Sequence, residues 1–193
     1  MDEAVFRQFF LDARSQIGWR PDPVSDAALE AAYDIAKWGP TSMNTQPMRL
    51  VFLRSLEAKE RLRAALSPGN IDKAMSAPVV AIIAYDTRFY TKMSVTFPHN
   101  PDAPGRFASD PEICESTAFR NGTLQGAYFM LALRALGLDV GPMSGFNSAM
   151  VDAEFFDDSN WRSNFLCGIG RGDPAKVLER LPRLDFDEVA RTL

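Results

Sequence analysis

The feature that most constrains the fold of this chain is a continuous apolar run at Pro78–Tyr85, which reads Pro-Val-Val-Ala-Ile-Ile-Ala-Tyr. A strand with one face in water alternates apolar and polar residues, whereas an unbroken apolar run is typical of a strand covered on both faces. The run therefore predicts a central strand with a layer of other structure on each side of it.

Helix signals flank this run on both sides in the sequence. Ser25 is a suitable N-cap for a helix through about Lys37, and Asp110 followed by Pro111 opens the longest helix, which runs to Leu136. The second half of that helix, Leu124–Leu136, is apolar on nearly all sides, which predicts burial in the core or against another subunit. The pattern also predicts helices at Glu3–Gln16, 55–66 and Asn147–Phe156, strands at Arg49–Leu53 and Asn164–Ile169, a long irregular segment at Val95–Pro111, and a short terminal helix after Asp185.

The order of these elements mixes helices and strands without strict βαβ alternation, which predicts an α+β layered fold. At 193 residues the default is a single domain spanning 1–193. The net charge of −4 and the absence of a basic block argue against nucleic acid as a partner. No apolar run approaches the roughly 18 residues of a membrane helix and no signal-peptide pattern is present, so we expect a cytoplasmic protein with no membrane partner.

The residues needed for several common chemistries are missing. His99 is the only histidine, and Cys114 and Cys167 lie far apart, so we expect free thiols and no metal site. A dinucleotide-binding fingerprint begins with the pattern found at Gly168-Ile169-Gly170-Arg171-Gly172. Asp173 stands where that fingerprint requires a glycine, and no βαβ unit precedes the run. If the chain is an enzyme, a cofactor is expected to carry its chemistry.

A ten-residue segment, Trp38–Pro47, contains two prolines, a glycine, two carboxamides and several hydroxyl groups. Such a segment is neither helix nor central strand, because its prolines lack N–H groups and restrict the residues before them. On local grounds it is either an ordinary helix-to-strand loop or one wall of a site that hydrogen-bonds a flat, polar-edged ligand.

Other dispersed segments carry groups that suit a ligand. Arg14-Ser15 offers a guanidinium fork and a hydroxyl for a phosphate, and Arg180 and Arg183 offer two more guanidinium groups, although each of these arginines could equally be a solvated surface residue. The glycine-bearing turn at Gly141–Phe146 would let backbone N–H groups approach a ligand closely.

Together these segments resemble the flavin-dependent nitroreductase family over essentially the whole chain. The resemblance rests on Arg14-Ser15 followed by Pro23-Val24, on Pro40-x-Ser-x-Asn-x-Gln-Pro47, on the stretch that ends in Gly141-Pro-Met-Ser-Gly-Phe146, and on Pro182-Arg183 with Glu188-Val189. A smaller subgroup, the malonic semialdehyde reductases of pyrimidine degradation, is the most similar. Its signs are Gly18-Trp19-Arg20, Lys37–Ser42, Phe97-Pro98-His99, Thr117–Asn121 and Gly141–Phe146.

The resemblance implies a nitroreductase-like three-layer fold with a mixed, mostly antiparallel sheet, and an intertwined homodimer with two FMN sites at the subunit interface. It assigns the FMN phosphate to Arg14, Ser15 and Arg183, and the edge of the flavin ring to Asn70 and Lys73. The partner chain would supply Thr41, Ser42 and Asn44 to the ring. Pro142, Met143, Ser144 and Gly145 would run along the ring of the same chain's FMN.

The implied activity is reduction of a small molecule by NADPH or NADH through bound FMN, in a ping-pong cycle. The subgroup implies reduction of malonic semialdehyde to 3-hydroxypropionate. The carboxylate of that substrate would need a cation nearby, for which Arg106 and Arg20 are the two candidates. The alternatives are broad reduction of nitroaromatics or quinones, and a non-catalytic flavin-binding domain. The chain departs from the family at Ile17, where a second basic residue is usual and Arg20 could substitute, and at Ser144, where many members have Glu.

Overall fold

A computed structural model describes residues 2–193. Its helices are α1 (Glu3–Phe6), α2 (Asp26–Ala36), α3 (Leu56–Arg63), α4 (Pro68–Ser76), α5 (Met93–Thr96), α6 (Ala103–Ala108), α7 (Pro111–Ala135), α8 (Ser148–Phe155) and α9 (Phe186–Val189). Its strands are β1 (Met48–Leu53), β2 (Val79–Asp86), β3 (Asp139–Met143) and β4 (Trp161–Gly170). No helix among residues 2–193 has both the length and the apolar character to cross a bilayer.

The strands form one sheet in the order β1-β2-β4-β3, and every neighbouring pair is antiparallel. The apolar run predicted to be central is β2, which is buried along its whole length between β1 and β4. An isolated parallel bridge joins Ser15 to Val140 on the open side of β3. The α+β prediction is confirmed, with an antiparallel sheet.

Alternate side chains of β2 belong to two different cores. Val80, Ile82 and Ala84 pack into one core that receives residues from α3, α4 and α8. Val79, Ala81 and Ile83 pack into a second core that receives residues from α2 and α7. Because the side chains of a strand point alternately to the two faces of a sheet, this division confirms the helix–sheet–helix layering.

Several predicted boundaries are wrong. The first helix leaves α geometry after Phe6, continues as a π-helical turn over Arg7–Leu11 and stops there, so it does not reach Gln16. The segment Val95–Pro111 is not one irregular loop, because it contains α6, which buries Ala103 and Phe107 against Phe89 and Cys114. The Gly141–Phe146 turn is also shorter than predicted, since its first three residues belong to β3.

The second half of α7 is not buried on all sides within one chain. Phe129 and Leu133 are fully enclosed by the second core, whereas Leu124 is 46% exposed and Tyr128 is 41% exposed. The helix therefore presents an apolar outer face, and the expectation of burial in the chain's own core is wrong for these two residues. Burial against another subunit stays a prediction.

Candidate functional site

The turn that follows α2 has an unusual backbone. Met43, Asn44 and Gln46 have φ values of 51°, 49° and 43°, in the left-handed region that residues other than glycine seldom adopt. Such conformations cost of the order of 1–3 kcal/mol each and persist only where neighbouring structure enforces them. The segment predicted to be a rigid polar turn is therefore a strained one.

Two hydrogen bonds, to α7 and α5, hold Ser42 and Asn44 of this turn against the rest of the chain. The backbone N–H of Ser42 donates to Oδ1 of Asn121 on α7 at 2.8 Å, and Nδ2 of Asn44 donates to the carbonyl of Thr96 at 2.7 Å. Asn121 is 4% exposed and its own Nδ2 donates to Thr117. The turn is thus fixed by a buried carboxamide, and Ser42 and Asn44 remain exposed to a ligand or a partner.

We expect Asn121→Ala to loosen this turn, because it removes the only acceptor recorded for the Ser42 N–H among residues 2–193. The free energy of unfolding should fall by about 1–3 kcal/mol, and hydrogen exchange at the Ser42 amide should accelerate. Gln125→Ala is the matched control, because Gln125 Oε1 accepts a comparable bond from Met48 N at 2.9 Å on the same helix. Equal Ser42 protection in both variants would contradict the assignment.

A basic pocket of about 490 Å3 lies between the end of the π-helical turn, the end of α7 and the C-terminal segment. Arg14 and Arg183, which were predicted to share a phosphate site, both line it, together with Ser15. Arg134 and Arg180 complete the set of four guanidinium groups.

The positive charge of the basic pocket is not neutralised by the chain. None of its four arginines forms an ion pair with a carboxylate of residues 2–193. Arg14 donates to the carbonyl of Leu178, and Arg180 donates to the carbonyls of Leu11 and Ala13. Of the residues that the structure describes, Glu179 is the one acidic side chain that lines the pocket. A pocket with this charge is suited to a phosphate dianion.

Strand β3 connects the basic pocket to a second cavity. Gln16 N donates to the carbonyl of Val140 at 3.0 Å, so the segment that carries Arg14 and Ser15 lies beside β3. The strand then runs from Val140 to Met143, which at about 3.3 Å per residue spans roughly 10 Å. A Cβ on Gly141 would lie 2.4 Å from the carbonyl oxygen of Gln16, so this close approach requires glycine.

The second cavity is an apolar groove of about 380 Å3 at the end of β3. Pro142, Met143 and Ser144 form one wall of it. The other residues that line it are Thr123, Ala127 and Met130 of α7 and Phe165 of β4. Its mostly apolar walls suit a ring that lies beside the strand.

Lys73 and Asn70 of α4 fix the turn that ends this wall. Lys73 Nζ donates to the carbonyl of Pro142 at 2.8 Å, and Asn70 Nδ2 donates to the carbonyl of Gly145 at 2.9 Å. Lys73 is 8% exposed, and this burial lowers the pKa of its ammonium group below the usual value. The two residues predicted from the resemblance are therefore brought together with Pro142 and Gly145.

The strained turn is not part of this groove within one chain. Ser42 contacts Asn121 on α7. The groove is lined from the same helix by Thr123, Ala127 and Met130, which lie roughly on the opposite side of the helix axis from Asn121. Thr41, Ser42 and Asn44 therefore lie on a different face of the helix. This placement leaves the predicted contribution from a partner chain as a prediction.

The family model described as the nitroreductase family matches residues 14–171 of this chain. This match covers most of the sequence, including the start of the basic pocket, both strands beside the groove and the strained turn. The chain belongs to the nitroreductase family.

Two relatives of this nitroreductase family member extend the match over nearly its whole length. One from Cupriavidus pinatubonensis is 54% identical over 186 residues, covering 95% of each chain, and one from Ralstonia pickettii is 56% identical over 181 residues, covering 93% and 92%. Both carry the provisional name NADH dehydrogenase/NAD(P)H nitroreductase. A solved structure of an Exiguobacterium sibiricum protein in complex with FMN has the same fold, with a TM-score of 0.83, 17% identity and 97% of each chain covered.

Sequence reasoning missed one residue of the basic pocket and one residue that fixes the strained turn. Arg134 was not singled out, although it is the only charged residue in the apolar stretch Leu124–Leu136 and could have been found for that reason. It lies half-buried in the basic pocket, where burial lowers the pKa of its guanidinium group. Asn121 was noted only as part of a motif, and its role as acceptor for the strained turn depends on a tertiary contact.

Proposed function

We propose that this member of the nitroreductase family is an FMN-dependent NAD(P)H oxidoreductase acting as one domain over residues 1–193. The observation that carries the proposal is the basic pocket, whose guanidinium groups lack carboxylate partners among residues 2–193 and which β3 connects to an apolar groove. When bound, FMN would supply the hydride chemistry between NADH or NADPH and a small substrate.

The chain's residues fit such a cofactor. Arg14, Ser15 and Arg183 would bind its phosphate in the basic pocket, and Pro142–Gly145 would lie along its ring. Asn70 and Lys73 hold that wall in place through the carbonyls of Gly145 and Pro142. The buried ammonium of Lys73 would also stabilise negative charge at the ring edge. That a protein of the same fold from E. sibiricum was solved in complex with FMN supports FMN as the cofactor.

We also propose that the active form is a homodimer with its FMN sites at the interface. Large apolar side chains are exposed in the single chain: Trp38 next to the strained turn is 82% exposed, and Leu181 and Phe186 in the C-terminal segment are each 74% exposed. Leu124 and Tyr128 add an apolar patch on α7. Exposed apolar surface of this kind favours a protein partner, and a second chain would bring Thr41, Ser42 and Asn44 to the ring.

For the substrate, we propose malonic semialdehyde, which would be reduced to 3-hydroxypropionate. The motifs shared with the malonic semialdehyde reductases support this proposal. Of the two cations suggested for its carboxylate, Arg20 lines a different cavity together with Arg171, and Arg106 is exposed on α6. Because Arg20 lines another cavity, Arg106 is the candidate that remains.

Broad reduction of nitroaromatics or quinones is the second candidate function, because both relatives are named as NAD(P)H nitroreductases. A non-catalytic flavin-binding role is a third, and reduction of the bound flavin by NADH or NADPH at a useful rate would exclude it. The two catalytic candidates share the cofactor and differ in whether the substrate needs a cationic partner.

Steady-state kinetics of the FMN-loaded protein separates the candidates. The rates with malonic semialdehyde and with nitrofurazone are measured for the native protein and for Arg106→Gln, with NADH or NADPH as the electron donor. We expect Arg106→Gln to raise KM for malonic semialdehyde at least about tenfold, because a charge-assisted bond to the carboxylate is lost, and to leave nitrofurazone reduction unchanged. If the nitro compound is preferred by orders of magnitude in the native protein, the aldehyde proposal fails.

A further inference from the structure

A third cavity, of about 590 Å3, lies outside the basic pocket and the groove. It opens between the segment that follows the first helix and the segment that follows β4. Its charged and polar lining includes Arg14, Gln16, Arg20, Asp139 and Arg171. Only Arg14 among these five is shared with the basic pocket.

Two arginines of this cavity lie directly opposite each other on paired backbone segments. An antiparallel bridge joins Trp19 to Gly172, and Arg20 N donates to the carbonyl of Arg171 at 2.8 Å, so the next pair in register is Arg20 and Arg171. Like charges in directly opposite positions are destabilising. No hydrogen bond or ion pair to either guanidinium group is found among residues 2–193.

A buried carboxamide in the same cavity also lacks a partner. Gln16 is 6% exposed, and its Oε1 is fully buried without a hydrogen bond among residues 2–193. A Cβ on Gly172 would lie within 2.5 Å of three atoms of this carboxamide, so the glycine leaves room for it. A buried polar atom left unpaired is costly. Rotation of the Gln16 carboxamide toward the cavity would expose this oxygen to a ligand that donates a hydrogen bond, and that bond would remove the cost.

The charge of the cavity favours an anion. Its three guanidinium groups face two carboxylates, those of Asp139 and Glu179, and Asp139 Oδ2 already accepts a bond from Gly172 N at 2.8 Å. A phosphate group offers several acceptor oxygens to guanidinium forks, and in its singly protonated form it also has an O–H that can donate to Gln16. A plain carboxylate offers no such donor.

We propose that this cavity is a second anion site, which binds inorganic phosphate or the phosphate group of a small metabolite between Arg20 and Arg171, with Gln16 as its hydrogen-bond partner. Binding would neutralise the opposed arginines and would bring negative charge next to Arg14. The residues that carry this site, Gln16, Arg20 and Arg171, line neither the basic pocket nor the groove, so it does not depend on the proposed redox activity.

The test is calorimetric titration of the protein, saturated with FMN, with inorganic phosphate and with glycerol 3-phosphate. The double variant R20Q/R171Q removes the opposed arginines, and R183Q is the matched control in the basic pocket. We expect R20Q/R171Q to lose at least about tenfold in phosphate affinity and R183Q to keep native affinity. Tighter binding of glycerol 3-phosphate than of inorganic phosphate would identify a metabolite site, and the reverse would identify a site for the free ion.

Thermal unfolding gives a second readout. Without phosphate, R171Q should raise Tm, because it relieves the repulsion between opposed charges, and added phosphate should raise the native Tm more than that of R171Q. Phosphate binding that is unchanged in R20Q/R171Q, or lost only in R183Q, would overturn the proposal. A protein that binds phosphate through Arg20 and Arg171 but takes up no FMN would overturn the proposed cofactor and leave the second anion site standing.

Discussion

The double variant R14A/R183A should bind FMN between about 10²- and 10⁴-fold more weakly than the native protein. Each substitution removes a guanidinium group from the basic pocket, and a hydrogen bond to a charged group contributes of the order of 1.5–3 kcal/mol. The dissociation constant can be measured by the change in flavin fluorescence on titration of the apoprotein with FMN.

The control for this prediction is Arg191→Ala, which removes an exposed arginine of the same C-terminal segment outside the pocket. The single variant Arg183→Ala separates binding from folding, because within residues 2–193 Arg183 donates only to the carbonyls of Leu181 and Pro182, close to it in sequence. An FMN affinity of R14A/R183A equal to that of Arg191→Ala would show that the phosphate lies elsewhere.

Gly141→Ala should both destabilise the fold and weaken FMN binding. The added Cβ would lie 2.4 Å from the carbonyl oxygen of Gln16 and 2.8 Å from Cε of Lys73. Because the nearest atom belongs to the backbone, the segment that carries Arg14 and Ser15 must move away from β3. We expect the free energy of unfolding to fall by about 1–3 kcal/mol, as measured by urea denaturation.

Gly105→Ala is the matched control, because a Cβ at that position in α6 meets nothing within 4 Å. In a helix this change should raise stability by about 0.5–1 kcal/mol and leave FMN binding unchanged. If Gly141→Ala bound FMN as tightly as Gly105→Ala, the close approach of Gln16 to β3 would have no part in forming the phosphate site.

The elements that follow local rules could be predicted from the sequence. The run at Pro78–Tyr85 is β2, buried on both faces, and Asp110 caps α7 by accepting from Ile113 N. Gly137 follows the end of α7 and has a φ of 75°, as expected of a glycine just after the C-terminus of a helix. In each case a few neighbouring residues determine the structure.

The elements that were missed depend on ambiguous or distant signals. The sequence pattern predicts a helix over 55–66 and no helix directly after it. A proline at the first helical position can begin a new helix, however, and α4 starts at Pro68. Proline likewise lies in the first turn of α6. The first helix ends at Leu11, although the apolar period continues, and Gln16 pairs with β3, more than 120 residues away.

The same distinction applies to the candidate site. Arg14, Ser15 and Arg183 could be grouped only through the family resemblance, since nothing in their spacing brings them together. Arg134 joins them from the last turn of α7. The left-handed residues Met43, Asn44 and Gln46 carry no glycine signal at all, because tertiary contacts such as that of Asn121 stabilise them.

The topology of the sheet has a consequence for how this protein is made in the cell. The central strand β2 pairs with residues of β4 that follow it by 75 to 90 positions. At about 5–20 residues per second of synthesis, roughly 4 to 18 seconds pass between the synthesis of β2 and that of its partner residues in β4. During this time the apolar run of β2 can pair only with β1, and its other edge has no partner strand. We therefore expect the nascent chain to bind chaperones. A chain truncated before β4 should be insoluble.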